Sequence, residues 1–156
     1  MQTMTAKRME NPGTILPETM RAIPHLLGGI EQGGLPAELR ELVFLRASQI
    51  NGCAACVYGH AHALRELGAS QERIDTVAVW RHSPYFSERE QMALELTESA
   101  TRMADSRGEA VSDELWSRLR LQFDEPELAA LILAVGLINF FNRINVTIQE
   151  PAGTTW

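Results

Sequence analysis

The sequence has no excess of basic residues, no long apolar run and only two cysteines. Its 156 residues carry a formal net charge of −6, whereas general nucleic-acid binding needs a basic face. No stretch approaches the roughly 20 apolar residues that span a bilayer, and residues 1–16 lack the apolar run of a secretory signal. We therefore expect a cytoplasmic protein that binds neither nucleic acid nor a membrane.

Strand-like alternation is also nearly absent, because only residues 145–149 have the character of a strand. Apolar residues recur instead at helical spacing, so we predict an all-α, single-domain bundle of six to eight helices. The predicted helices span 17–32, 36–50, 53–67, 71–80, 88–104, 113–122 and 126–143. Pro24 should kink or split the first of them, and the chain from residue 146 should be irregular. The predicted organisation is an N-terminal arm (1–16), a helical domain (17–150) and a tail (151–156).

The two cysteines lie close together in a stretch with helical spacing. Cys53, Cys56 and His60 stand at positions i, i+3 and i+7, so a helix that begins near residue 53 places them on one face. The N-terminus of a helix carries partial positive charge and free N–H groups, which favour a thiolate. We expect Gly52 to end the preceding helix and either Asn51 or Gly52 to cap the next. These features predict a dithiol redox site.

Other interpretations of the same residues remain open. In a reducing compartment paired cysteines are more often catalytic or metal-binding than structural, but they can also be two small buried side chains. A zinc site would need His60 with His62 or His82, and His60 and His62 face different ways on a helix. The helix dipole favours Cys53 as the more acidic and exposed thiol. The polar residues of 139–145 are interpreted as helix capping and subunit contacts.

One spacing pattern is specific enough to indicate a family. Glu41, Cys53, Cys56 and His60, within RELVFLRASQINGCAACVYGHAHALRELG, resemble the AhpD-like alkylhydroperoxidase branch of the carboxymuconolactone decarboxylase family. The segments AVWRHSPYFSEREQMALELTE and INFFNRINVT are similar to later parts of the family's sequence pattern. The resemblance therefore extends over nearly the whole chain.

The resemblance implies an AhpD-like helical fold that assembles into homo-oligomers, either trimers or hexamers. It implies that Cys56 attacks hydrogen peroxide or an organic hydroperoxide, that Cys53 resolves the product, and that Glu41 and His60 relay protons to the thiols. A thiol or a dihydrolipoyl-type protein would be the reductant, and we expect no cofactor and no bound metal. Ala55 stands where the best-studied branch has histidine and many members have tyrosine.

Three other functions remain as alternatives to peroxide reduction. The first is a thiol–disulfide carrier that passes electrons between a dihydrolipoyl-type donor and another protein. The second is a non-enzymatic helical module whose cysteines bind zinc. Decarboxylation of a lactone acid, the other activity of the family, is less favoured because the resemblance to the cysteine-bearing branch is closer.

Overall fold

A computed structural model describes residues 6–154 as eight α-helices with two short 3₁₀ helices. The α-helices are α1 (Pro12–Ile15), α2 (Pro17–Gln32), α3 (Ala37–Asn51), α4 (Ala54–Glu66), α5 (Gln71–Thr76), α6 (Glu88–Thr101), α7 (Asp113–Gln122) and α8 (Glu125–Ile148). The 3₁₀ helices are Val77–His82 and Met103–Asp105. No strand occurs between residues 6 and 154, so the all-α prediction is confirmed. Residues 1–5 of the predicted arm and 155–156 of the predicted tail lie outside the described residues.

Side-chain caps set the starts of three long helices. The Ser87 side chain accepts a hydrogen bond from the Glu90 backbone N–H, and the Glu90 carboxylate accepts one from the Ser87 backbone N–H. This reciprocal arrangement is a capping box. Asp124 and Glu127 form the same arrangement at the start of α8, and Ser112 caps α7 through its side-chain oxygen. The starts predicted at Ser87 and Ser112 are therefore confirmed.

The structure differs from the sequence-based expectations at Pro24, over residues 71–80 and after residue 146, among other places. α2 continues through Pro24 and is not split. The single helix predicted over 71–80 is α5 followed by a 3₁₀ helix, in which Val79 has the non-helical angles φ −122° and ψ 29°. The irregular tail predicted from residue 146 is wrong up to Ile148, because α8 continues to that residue and ends at Gln149, whose φ is 58°.

α3 lies at the centre of the molecule and packs against α4, α6 and α8. Leu39 and every residue of 41–48 are buried. The sequence alone left open whether the buried face of this helix reaches Glu41, and the structure shows that it does. Burying a carboxylate is costly unless a partner compensates it, so the position of Glu41 already points to a paired group.

α8 is the second core helix, and it packs along α2 and α3. At the end of α2, a Cβ added to Gly33 would lie 2.3 Å from the Ala130 Cβ atom and 2.6 Å from the Pro126 carbonyl oxygen. Only glycine fits this close approach between the two helices. Within residues 6–154, α8 alone is long and apolar enough to cross a membrane by length and composition, a test that the core helix of a soluble protein also passes.

A buried carboxylate ties α6 to α3 and to the Val77–His82 segment. Glu98 accepts hydrogen bonds from Arg46 Nε at 2.8 Å, from Trp80 Nε1 at 3.0 Å and from Arg81 Nη1 at 2.5 Å. Burial raises the pKa of the Glu98 carboxyl, but the hydrogen bonds from its two arginines and from Trp80 outweigh burial and hold this pKa below its ordinary value. The ionised form of Glu98 is therefore stabilised by folding.

Replacement of this carboxylate is expected to lower the free energy of unfolding. Glu98→Ala leaves the buried Arg46 without its ionic partner, which costs on the order of 3 kcal/mol. The contribution of Glu98 is present above the ordinary carboxyl pKa of about 4.3 and is lost as pH falls through the lower folded-state value. Urea unfolding at neutral and acidic pH measures the free energy of unfolding of the wild type and the variant. The difference between these two free energies should be smaller in acid. Equal unfolding free energies at neutral pH would contradict this role of Glu98.

Candidate active site

The turn between α3 and α4 carries the two cysteines. α3 ends at Gly52, whose φ of 67° lies in the left-handed region that glycine adopts without strain. Cys53 then caps α4, and its Sγ accepts a hydrogen bond from the Cys56 backbone N–H at 3.3 Å. Gly52 ends the preceding helix as predicted. The predicted cap at Asn51 or Gly52 is wrong, because Cys53 itself occupies that position.

Cys53 and Cys56 form a disulfide with Cα atoms 5.3 Å apart. The bond closes a four-residue turn at the N-terminal end of α4. Cys53 is 1% exposed and Cys56 is 6% exposed, so the expectation that Cys53 is the more exposed thiol is wrong.

Glu41 and His60 form a hydrogen-bonded pair between α3 and α4. Glu41 Oε2 lies 2.7 Å from His60 Nδ1, and the Phe44 ring packs 5.0 Å from the imidazole ring. An ionised carboxylate only accepts hydrogen bonds, so Nδ1 carries a proton, and in the neutral imidazole Nε2 then has a free lone pair. His60 stands one helical turn after Cys56 on the same face of α4. The pair thus places an oriented base next to the dithiol.

Asparagines of α8 contact the C-terminal part of α3 and the first turn of α4, and the sequence did not predict these contacts. Asn145 Nδ2 donates to Cys56 Sγ at 3.3 Å, and Asn142 Nδ2 donates to Ser48 Oγ at 3.0 Å. Asn51 Nδ2 donates to the side-chain oxygens of both Asn139 and Asn142 at 2.9 Å. The interpretation of this segment as capping and subunit contacts is wrong for Asn142 and Asn145, because both are buried inside one chain.

The family of the chain follows from a match over slightly more than half of its length. Residues 17–99, more than half of the chain, match the model of the carboxymuconolactone decarboxylase family. The chain belongs to this family. It is also 34% identical over 140 residues to YdfG, an uncharacterised protein of Bacillus subtilis (strain 168), and the match covers 90% of this chain and 93% of YdfG.

Solved structures of similar fold support an AhpD-like member of the family. ATU0492 of Agrobacterium tumefaciens is a protein of unknown function assigned provisionally to the antioxidant defence protein AhpD. It superposes with a TM-score of 0.86 and 31% identity, over 96% of this chain and 100% of that one. The debrominase Bmp8 shares the fold at 17% identity, with a TM-score of 0.77 over 90% of this chain and 74% of that one. The family and the AhpD-like helical fold expected from the sequence are confirmed.

The remaining histidines of this family member do not add to a metal site. His25, His62 and His82 are exposed, and His82 ends a 3₁₀ helix. No group of three or more His, Cys, Asp or Glu side chains in the part of the chain that the structure describes is arranged to hold a metal ion. The zinc interpretation therefore lacks a ligand set among these residues.

Proposed function

We propose that this protein is a thiol-dependent peroxidase that reduces hydrogen peroxide or organic hydroperoxides. The observation that carries the proposal is the Cys53–Cys56 disulfide one helical turn from the hydrogen-bonded Glu41–His60 pair. A dithiol that closes into a disulfide, with an oriented base beside it, has the parts that thiol peroxidation needs. The similarity to a structure that is assigned provisionally to AhpD supports the same function.

In the first half-reaction Cys56 attacks the peroxide. His60 Nε2 takes the thiol proton, and the thiolate sulfur forms a bond to one peroxide oxygen while the O–O bond breaks. The departing alkoxide, or hydroxide, takes the proton from His60 and leaves as alcohol or water. Cys56 is now a sulfenic acid, oxidised by two electrons, and the peroxide is reduced by two. Glu41 holds the imidazole in the tautomer that this transfer requires.

In the second half-reaction Cys53 resolves the sulfenic acid. Its thiol sulfur bonds to the Cys56 sulfur, the S–OH bond breaks, and water leaves. An external dithiol, or two molecules of a monothiol, then reopens the disulfide by exchange and is itself oxidised to a disulfide. We propose a small thiol or a dihydrolipoyl-type protein as this reductant, and a reducing cytoplasm as the compartment that supplies it.

The burial of both sulfurs favours a small oxidant over a protein disulfide. With Cys53 and Cys56 only 1% and 6% exposed, a folded partner cannot bring its own disulfide to either sulfur without moving α4 or α8. A hydroperoxide, or a long lipoyl arm, needs a much smaller opening. The thiol–disulfide carrier therefore ranks second.

An assay with and without peroxide separates these functions. We expect the reduced protein to consume cumene hydroperoxide catalytically in the presence of excess dihydrolipoamide. Turnover should depend on both the peroxide and the dithiol, because each half-reaction needs one of them. Rapid reduction of a protein disulfide without any peroxide turnover would overturn the proposal in favour of the carrier.

We also propose that the protein assembles with copies of itself. Leu26 of α2 and Ile132, Leu133 and Phe140 of α8 are exposed apolar side chains, and together they line a cavity of about 850 Å³ between the two helices. A connected apolar surface of this kind is typical of protein interfaces. Light scattering gives the molar mass in solution, and a monomer mass at working concentrations would remove this proposal.

A further inference from the structure

The Asn145 side chain brings a polar group from α8 directly to the proposed attacking sulfur. Asn145 is 4% exposed and lies in a helix rich in buried aliphatic residues. Its Nδ2 lies 3.3 Å from Cys56 Sγ. A buried amide needs hydrogen-bond partners, because an unsatisfied one costs about 1 to 3 kcal/mol, and the Cys56 sulfur is one partner of Asn145.

A disulfide sulfur is a weak acceptor, whereas a thiolate is a strong one. The amide is therefore directed at an atom that accepts its hydrogen bond much better after the disulfide is reduced and Cys56 is ionised. The corresponding donor to Cys53 is the backbone N–H of Cys56. Each sulfur thus has a donor of its own, and only the donor to Cys56 comes from a side chain.

We propose that Asn145 is a catalytic residue, which donates a hydrogen bond to the Cys56 thiolate and thereby makes Cys56 the attacking thiol. This rests on the proposed dithiol peroxidase function. The amide acts on the reacting sulfur itself, in addition to the base supplied by His60. It offsets the advantage that the helix N-terminus gives to Cys53, since the position of Cys53 as the cap of α4 would otherwise favour that sulfur.

The test measures the ionisation of Cys56 without relying on peroxidase activity. In a Cys53→Ser background Cys56 is the single thiol, and serine keeps the capping position of α4 favourable. The rate of alkylation by iodoacetamide is followed against pH in full-length reduced protein with and without Asn145→Leu, a replacement of similar size that has no donor. We expect the pH midpoint to rise by about one unit and the rate at neutral pH to fall about tenfold.

Asn139→Leu in the same background is the matched control. Asn139 lies six residues earlier on α8 and contacts Asn51 and Thr101 rather than a sulfur. Its replacement should leave the alkylation midpoint of Cys56 unchanged. A folded Asn145→Leu protein with an unchanged midpoint would overturn the proposal and leave Asn145 a purely structural contact between α8 and α4.

A measurement on the protein without the Asn145 substitution covers the case in which Asn145→Leu does not fold. The side-chain amide signal of Asn145 in nuclear magnetic resonance should shift with pH at the same midpoint as Cys56 alkylation. A signal that does not titrate would overturn the proposal. Should the wild type fail to reduce any peroxide, the proposed function fails, while the alkylation midpoint still decides the role of Asn145.

Discussion

Cys56→Ser is expected to abolish peroxide reduction. A serine hydroxyl does not ionise at neutral pH and does not form the sulfenic acid, so the first half-reaction has no nucleophile. The fold should survive, because the two side chains have nearly the same shape and the hydrogen bond from Asn145 can go to the serine oxygen. The measurement is the rate of cumene hydroperoxide consumption with excess dithiol, together with a circular dichroism spectrum of the variant.

Cys53→Ser is the matched variant, and its expected outcome is different. Cys56 remains able to attack, so one equivalent of peroxide should be reduced and the protein should then stop at the sulfenic acid. Dimedone traps this species, and the adduct should lie on Cys56. Wild-type turnover in both single variants would show that the dithiol cycle is wrong. A dimedone adduct on Cys53 in the Cys56→Ser protein would reverse the two roles.

His60→Ala is expected to slow the reaction of Cys56 with peroxide by about 100-fold at neutral pH, the lower end of what a positioned acid–base group contributes. Glu41→Gln should slow it less, by about tenfold, because the amide can still orient the imidazole but no longer stabilises its protonated form. Both rates are measured by stopped flow on reduced protein under single-turnover conditions. These conditions isolate the first half-reaction from the exchange with the reductant.

His62→Ala is the control for this pair. His62 lies on α4 two residues from His60 but is exposed and points to another side of the helix, so its removal should leave the rate unchanged. Unchanged rates in folded His60→Ala and Glu41→Gln proteins would remove the proton relay from the mechanism. A lower rate of reaction with peroxide in all three variants would indicate a general effect on the structure of α4.

The parts of the fold that local sequence controls could be predicted well. Ser87 and Ser112 predict the starts of their helices. The side-chain oxygen of each serine accepts a hydrogen bond from a free N–H group of the first turn, and acidic residues follow it. The spacing of Cys53, Cys56 and His60 predicted that all three lie on one face of a helix, because they are separated by no more than two helical turns. Contacts between residues that are within about two helical turns of each other depend on the local sequence alone.

The asparagines of α8 show where local reasoning stops. The end of this helix carries polar and β-branched residues, which predict a helix end and an irregular tail. In the fold, Asn142 meets Ser48 and Asn145 meets Cys56, contacts that span 94 and 89 positions of sequence. These partners compensate the burial of the amides. The periodic placement of three asparagines on a largely apolar helix was the available signal, but only the packing of α8 on α3 and α4 identifies their partners.

The most direct test of the dithiol cycle is a free-thiol count before and after one equivalent of cumene hydroperoxide, with intact mass measured on the same samples. The reduced protein should lose both thiols and about 2 Da, the mass of the two hydrogen atoms given up when Cys53 and Cys56 close into a disulfide. Two thiols that remain after peroxide addition, with an unchanged mass, would contradict the peroxidase function and direct attention to the thiol–disulfide carrier.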